Sequence, residues 1–174
     1  ADFENSATNC TVTSGCGVTT FNDDPSKLDV FNWNIEWLGH PVNGPSQSGT
    51  NDATQISNAK TVLNGVGADV YVLAEICQYN ASNPTDTTTV FGKLLQGLNN
   101  TYGANAYSGE CSAAVSSFPD PNPQRVCVIY KNTVISKVSS QVLLNGAVSL
   151  PNYPSGNPSQ FWASGRKPFL FVGD

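Results

Sequence analysis

Two runs constrain the fold more than anything else in this chain: LDVFNWNIEW from Leu28 to Trp37, and ADVYVLAEI from Ala68 to Ile76. Both are dense in aliphatic and aromatic residues, as in strands covered on both faces, and suit a central strand better than a helix. Between them lies GHPVNGPSQSGT, which its Gly, Pro and Ser content makes a loop. Asp52 with Gln55 three residues later then forms a capping-box pattern, and Ile56, Ala59 and Leu63 recur at helical spacing until Gly65. The order predicts a strand over 28–35, a helix over 53–64 and a second strand over 68–76.

Farther along, Val90, Leu94 and Leu98 predict a helix over 88–100, and the Gly-, Ser- and Pro-rich stretch 102–124 reads as a loop containing Cys111. RVCVIYKN is a third strand, and TVISKVSSQVLL is expected beside it as an antiparallel neighbour after a short turn near Asn132. A Pro-rich loop covers 151–163, and Lys167 to Val172 forms a last strand. Alternation of strand and helix followed by mostly strands fits an α/β sandwich with helices on a mixed sheet. Residues 1–27, rich in Ser, Thr, Asn and Gly, read as an irregular arm closed by a Cys10–Cys16 disulfide. The alternatives are two free thiols, or zinc ligands lacking the further Cys or His that zinc needs nearby.

At 174 residues the chain has room for one domain. Lys and Arg number 8 against 13 Asp and Glu, a net charge of -5, which excludes a broad basic surface. A nucleic acid would have to be met in a local groove or through a bound metal ion. Hydrophobic content of 39%, with 3 Trp, 6 Tyr and 8 Phe, excludes wholesale disorder. No apolar run approaches the roughly 18 residues of a membrane span, and the stretch from Ala1 is not expected to be a surviving signal peptide. A chain with no Met is expected to be a processed or recombinant piece. Asn9, Asn80 and Asn99 open glycosylation sequons, which together with the cysteines lean towards a secreted protein.

Asn34 and Glu75 interrupt the apolar runs near their C-terminal ends. Ligands of open α/β sheets gather there, and a carboxylate beside an amide begins a site for a hard cation such as Mg²⁺, which keeps several waters and leaves room for a phosphate. The bland alternative is a solvated Glu75 and an Asn34 that satisfies a turn.

Taken in order, LDVFNWNIEWLG, Gln55 and Asn58 on a helix, DVYVLAEI, RVCVIYKN and SGRKPFLF resemble the endonuclease/exonuclease/phosphatase superfamily, and within it the secreted bacterial nucleases. The resemblance covers 28–174 and implies a layered α/β sandwich of the deoxyribonuclease I-like type, of which this chain would be the N-terminal half. It implies that Glu75 ligates Mg²⁺ (or Mn²⁺ or Ca²⁺), that Asn34 helps hold metal or phosphate, and that Arg166 lies beside the substrate phosphate. Gln124 stands where relatives carry an acid that orients a catalytic His.

The family's His base, its Asp-x-Asn pair and its terminal Asp-His follow the Arg-x-Pro strand, and none of them is in this chain. His40 reads as a loop residue near the site, and Asp174 as a turn residue. Against the family's layout, Cys77 and Cys111 fall at one end of the sheet and are expected to bridge, with Cys127 a buried free thiol inside its strand or the partner of a cysteine outside this chain. Phe31 and Trp33 are core, and Trp37 is the expected exception. The implied function is a secreted, metal-dependent phosphodiesterase, a nuclease on DNA or RNA whose second half lies elsewhere. Sphingomyelinase-like and inositol-phosphate phosphatase activities share the scaffold, and a non-catalytic secreted binding module is the rival from another class.

Overall fold

The computed structural model describes residues 24–44, 52–113, 123–143 and 167–174. In them the two apolar runs become β1 (Val30–Leu38) and β2 (Val70–Ile76), paired in parallel from Val30 opposite Val70 to Asn34 opposite Ala74. Parallel neighbours need a crossover, and α1 (Asp52–Val66) provides it. A second helix, α2 (Val90–Tyr102), starts where the Thr89 hydroxyl accepts the Gly92 N–H and ends where Gly103 donates back to the Asn99 carbonyl. These capping bonds satisfy groups that the helix itself leaves open.

Both helices bury one face on the sheet. Ile56, Ala59, Leu63 and Val66 of α1, with Val90, Phe91, Leu94, Leu95 and Leu98 of α2, close over Tyr71, Leu73 and Ile129. Phe31 and Trp33 pack against this core, as their spacing predicts. The buried Tyr71 hydroxyl donates to the Leu63 carbonyl at 2.8 Å, and burial pushes its pKa well above the ordinary phenol value.

Two strand expectations are corrected. The stretch 102–124 contains β3 (Tyr107–Cys111), which pairs antiparallel with β4 (Arg125–Lys131) in a sheet of order β1-β2-β4-β3. Its sequence, YSGEC, has little apolar alternation, and Gly109 is there for closeness. A Cβ at Gly109 would lie 3.0 Å from Phe91 Cζ and 2.6 Å from the Val128 carbonyl oxygen. The strand β5 (Lys137–Val142) pairs with β6 (Phe169–Gly173) instead of with β4. Both edges of β4 are already taken, by β2 and by β3, so the chain leaves to build a second sheet.

Residues alternate across β4, so that Cys127 and Ile129 join the helix-side core while Tyr130 faces away. On that opposite side Tyr130 meets Phe171 of β6 with ring centroids 5.1 Å apart, and Lys137 of β5 pairs with Glu110 of β3 at 2.6 Å. The described residues thus form a layered α/β arrangement of two helices, a mixed four-stranded sheet and a two-stranded sheet.

The expected Cys77–Cys111 bridge is also corrected: Cys111 is bonded to Cys127. These two stand directly opposite each other in the antiparallel ladder. Hydrogen bonds from Ser112 N to the Val126 carbonyl and from Asn132 N to the Ala106 carbonyl put the pair at a non-hydrogen-bonded position, where side chains come closest. Cys77 keeps its thiol, buried, with Sγ 3.7 Å from the Glu75 carbonyl oxygen. The expected Cys10–Cys16 arm and Arg166 lie outside the described residues.

The far end of the sheet is tied by Asp69, which is 3% exposed. Its Oδ1 pairs with Lys131 Nζ at 3.3 Å, its Oδ2 accepts the Asp29 N–H, and its carbonyl accepts the Lys131 N–H. One carboxylate therefore fixes the start of β2, the approach to β1 and the end of β4 together.

Candidate functional site

At the opposite end of the sheet, β1 and β2 lose their regular register together. The β1–β2 ladder skips from Asn34 opposite Ala74 to Leu38 opposite Ile76, and the β2–β4 ladder skips from Ala74 opposite Val126 to Ile76 opposite Arg125. Glu36, Trp37 and Glu75 all have positive φ, at 53°, 53° and 69°. Such values are uncommon outside glycine and concentrate where surrounding structure imposes them.

The phase of the strands explains what these irregularities accomplish. Tyr71 and Leu73 point into the helix-side core, and strict alternation would send Glu75 after them and turn Ile76 out. The bulge at Glu75 shifts the phase by one residue, so that Ile76 is fully buried and the Glu75 side chain stays out of the core. In β1 the two left-handed residues likewise return Leu38 to the core.

The half-buried Glu75 carboxylate is held on both oxygens. Asn34 Nδ2 donates to Oε1 at 3.2 Å, and the Trp37 backbone N–H reaches Oε2 at 3.3 Å. Asn34 is itself fixed, because its Oδ1 accepts the Glu36 N–H at 3.0 Å. The structure thus brings together two of the expected site residues, Asn34 and Glu75. In this arrangement the amide oxygen of Asn34 serves the backbone and its nitrogen orients the carboxylate.

Sequence reasoning gave no site role to Glu36, Gln55 or Arg125. Glu36 puts a second carboxylate, exposed, on the same kink. Gln55, expected to cap α1, instead donates Nε2 to the carbonyls of Ile35 and Glu36 at 3.1 and 3.0 Å. Arg125 opens β4 opposite Ile76, with Nη1 on the Ser112 carbonyl at 2.8 Å and its guanidinium 6.0 Å from the centroid of the Tyr79 ring. Burial holds its pKa below the ordinary arginine value. The signal for Glu36 was present in the sequence, one residue beyond the Asn34–Ile35 pair; Arg125 could be placed only by the antiparallel register of β4.

His40 is a loop residue beside the site, as expected. Its ring lies edge-on to Trp37 at 5.0 Å, and its Nδ1 accepts the backbone N–H groups of Val42 and Asn43 at 3.1 and 2.8 Å. Those bonds use the lone pair that a general base would need.

Among the described residues no three His, Cys, Asp or Glu side chains gather as a metal cage. What Glu75 and its neighbours could offer is one carboxylate oriented by donors on both oxygens. That matches a cation such as Mg²⁺, which takes one or two carboxylates and completes its octahedron with water and phosphate oxygens. It does not match zinc, which demands several His or Cys ligands.

Among the described residues no helix is long and apolar enough to cross a membrane, and the Cys111–Cys127 disulfide is compatible with an extracellular location. Comparison with models of known protein families finds no match, and comparison with curated proteins finds none either.

Proposed function

We propose that the chain is part of a secreted, metal-dependent phosphodiesterase with a deoxyribonuclease I-like sandwich, acting as a nuclease on DNA or RNA. The observation that carries this reading is the Glu75 carboxylate, oriented by Asn34 and by the Trp37 N–H where two adjacent parallel strands break register. Glu75 would hold Mg²⁺, or Mn²⁺ or Ca²⁺, with Asn34 fixing the carboxylate. When bound, such an ion polarises a phosphoryl oxygen and offsets charge building on the phosphate. Arg166 would contribute a second positive charge beside the phosphate. An acidic chain is no obstacle, because the positive charge is needed only locally.

The test is turnover of DNA, RNA and a choline phospholipid by the intact gene product, with and without chelator, beside Glu75→Ala. Loss of nuclease turnover in EDTA, its return with Mg²⁺ and its absence in Glu75→Ala are expected. Full turnover in EDTA would sink the reading, and turnover of lipid alone would replace nuclease by phospholipase.

A second reading has its own observation. The sequence holds a single His, and the Nδ1 of His40 is committed to two backbone N–H groups. A module that keeps the scaffold and binds a phosphodiester without cleaving it would look the same. Metal-dependent binding of DNA or RNA with no turnover in the same assay would favour it.

A further inference from the structure

We infer that Gln55 is a positioning residue that holds the Glu75 site in shape, an inference that rests on the reading of Glu75 as a metal ligand. Between Asn34 and Leu38 the β1–β2 register is interrupted. The backbone there leaves the ladder, and the carbonyls of Ile35 and Glu36 turn to the Gln55 carboxamide, whose Nε2 accepts neither but donates to both, at 3.1 and 3.0 Å. A single side chain from the first turn of α1 thus stands in for the missing strand partner.

The consequence reaches the carboxylate through the backbone. The two residues that follow Ile35 have φ of 53°, a conformation that non-glycine residues keep only when neighbours hold it. In that conformation the Glu36 N–H reaches Asn34 Oδ1 and the Trp37 N–H reaches Glu75 Oε2. Relaxing the kink would withdraw one donor from Glu75 directly and loosen the Asn34 amide that supplies the other. Gln55 touches neither metal nor substrate in this scheme. Its work is to keep both donors aimed.

A helix cap or a packing residue would act differently. Gln55→Met keeps length and bulk but has no donor, and Gln55→Glu turns a carboxylate towards two carbonyls. Nuclear magnetic resonance of both variants reads the Trp37 amide and the Asn34 carboxamide against the Leu63 amide in the body of α1, and calorimetry reads Mn²⁺ affinity.

The expected result is a moved Trp37 amide and Asn34 carboxamide, an unmoved Leu63 amide, and Mn²⁺ binding weakened about 10–100-fold, the usual cost of removing a group that orients a ligand. Unmoved Trp37 and Asn34 signals would overturn the inference whatever happens to the metal. Loss of cooperative unfolding in both variants would assign Gln55 to the fold and overturn it as well. If the unaltered chain binds no Mn²⁺, or Glu75→Ala binds it equally well, the metal reading of Glu75 fails, and the Trp37 and Asn34 signals still decide whether Gln55 holds the kink.

Discussion

Asn34 on β1 donates its side-chain nitrogen to Oε1 of Glu75 on the neighbouring parallel strand, across 3.2 Å. The bond joins residues 41 positions apart and sets the carboxylate's rotation, while the Trp37 N–H occupies its other oxygen. The carboxylate therefore has a fixed direction, which is what a ligand to a hard cation needs.

Replacing Asn34 separates orientation from charge. Asn34→Ala removes the donor and is expected to weaken Mn²⁺ binding about 10–100-fold, with little loss of stability because the residue is exposed. Asn34→Asp sets a second carboxylate against Glu75, so the metal-free protein is expected to melt lower and to gain more from added Mn²⁺. Thermal midpoints with and without the ion check both, and equal midpoints for all three proteins would remove Asn34 from the site.

The buried Asp69 predicts a stability loss remote from that site. Asp69→Ala would remove the carboxylate that accepts the Asp29 N–H and pairs with Lys131. The expected cost is about 2–3 kcal/mol, below that of a fully dry pair because the Lys131 side chain keeps 21% exposure. A urea midpoint that falls with an unchanged slope would report it, and Mn²⁺ affinity should stay as in the unaltered chain.

The loop before α2 predicts a pH dependence with a definite sign. Asp86 accepts from Asn80 Nδ2 and from the Thr88 hydroxyl and N–H, and these bonds hold its carboxyl below the ordinary 3.8. A lowered folded-state value means that its contribution is fully present above 3.8 and is lost as pH falls through the folded-state value. The Thr88 amide shift should titrate with a midpoint below 3.8, and Asp86→Asn should abolish that titration. A midpoint at or above 3.8 would contradict the bonding seen here.

What was legible in the sequence follows from how local each signal is. The strands β1 and β2 and both helices announced themselves through short-range apolar patterns, and Asn34 and Glu75 stood out as polar breaks in those patterns. β3 did not, because YSGEC becomes a strand only through its partner β4 and through the closeness of Phe91 that Gly109 permits. The partner of β5 was misread for the same reason: pairing depends on which edges are already occupied. The sequons at Asn80 and Asn99 are matched in sequence alone. In the fold Asn80 binds Asp86 and the backbone of its own loop, while Asn99 both accepts from the Tyr107 N–H and donates to the Tyr107 carbonyl. Gln55 has a capping residue's spacing, and only the kink in β1 shows where its amide is spent.

The disulfide offers a prediction in which two pairings compete. In the observed ladder Cys111 and Cys127 are 16 residues apart in sequence and directly opposed, while Cys77 lies past the end of β2 next to Glu75. Non-reducing peptide mapping should therefore recover the peptides of Cys111 and Cys127 joined, with Cys77 alkylated only after unfolding, since it is 4% exposed. Closing a loop of this length restricts the unfolded chain by roughly 3 kcal/mol, so Cys111→Ala with Cys127→Ala is expected to lower stability by about 2–4 kcal/mol. Cys77→Ala should cost far less, as a small truncation in a buried position. Joined peptides of Cys77 and Cys111 would instead show that β3 does not pair with β4 in this register.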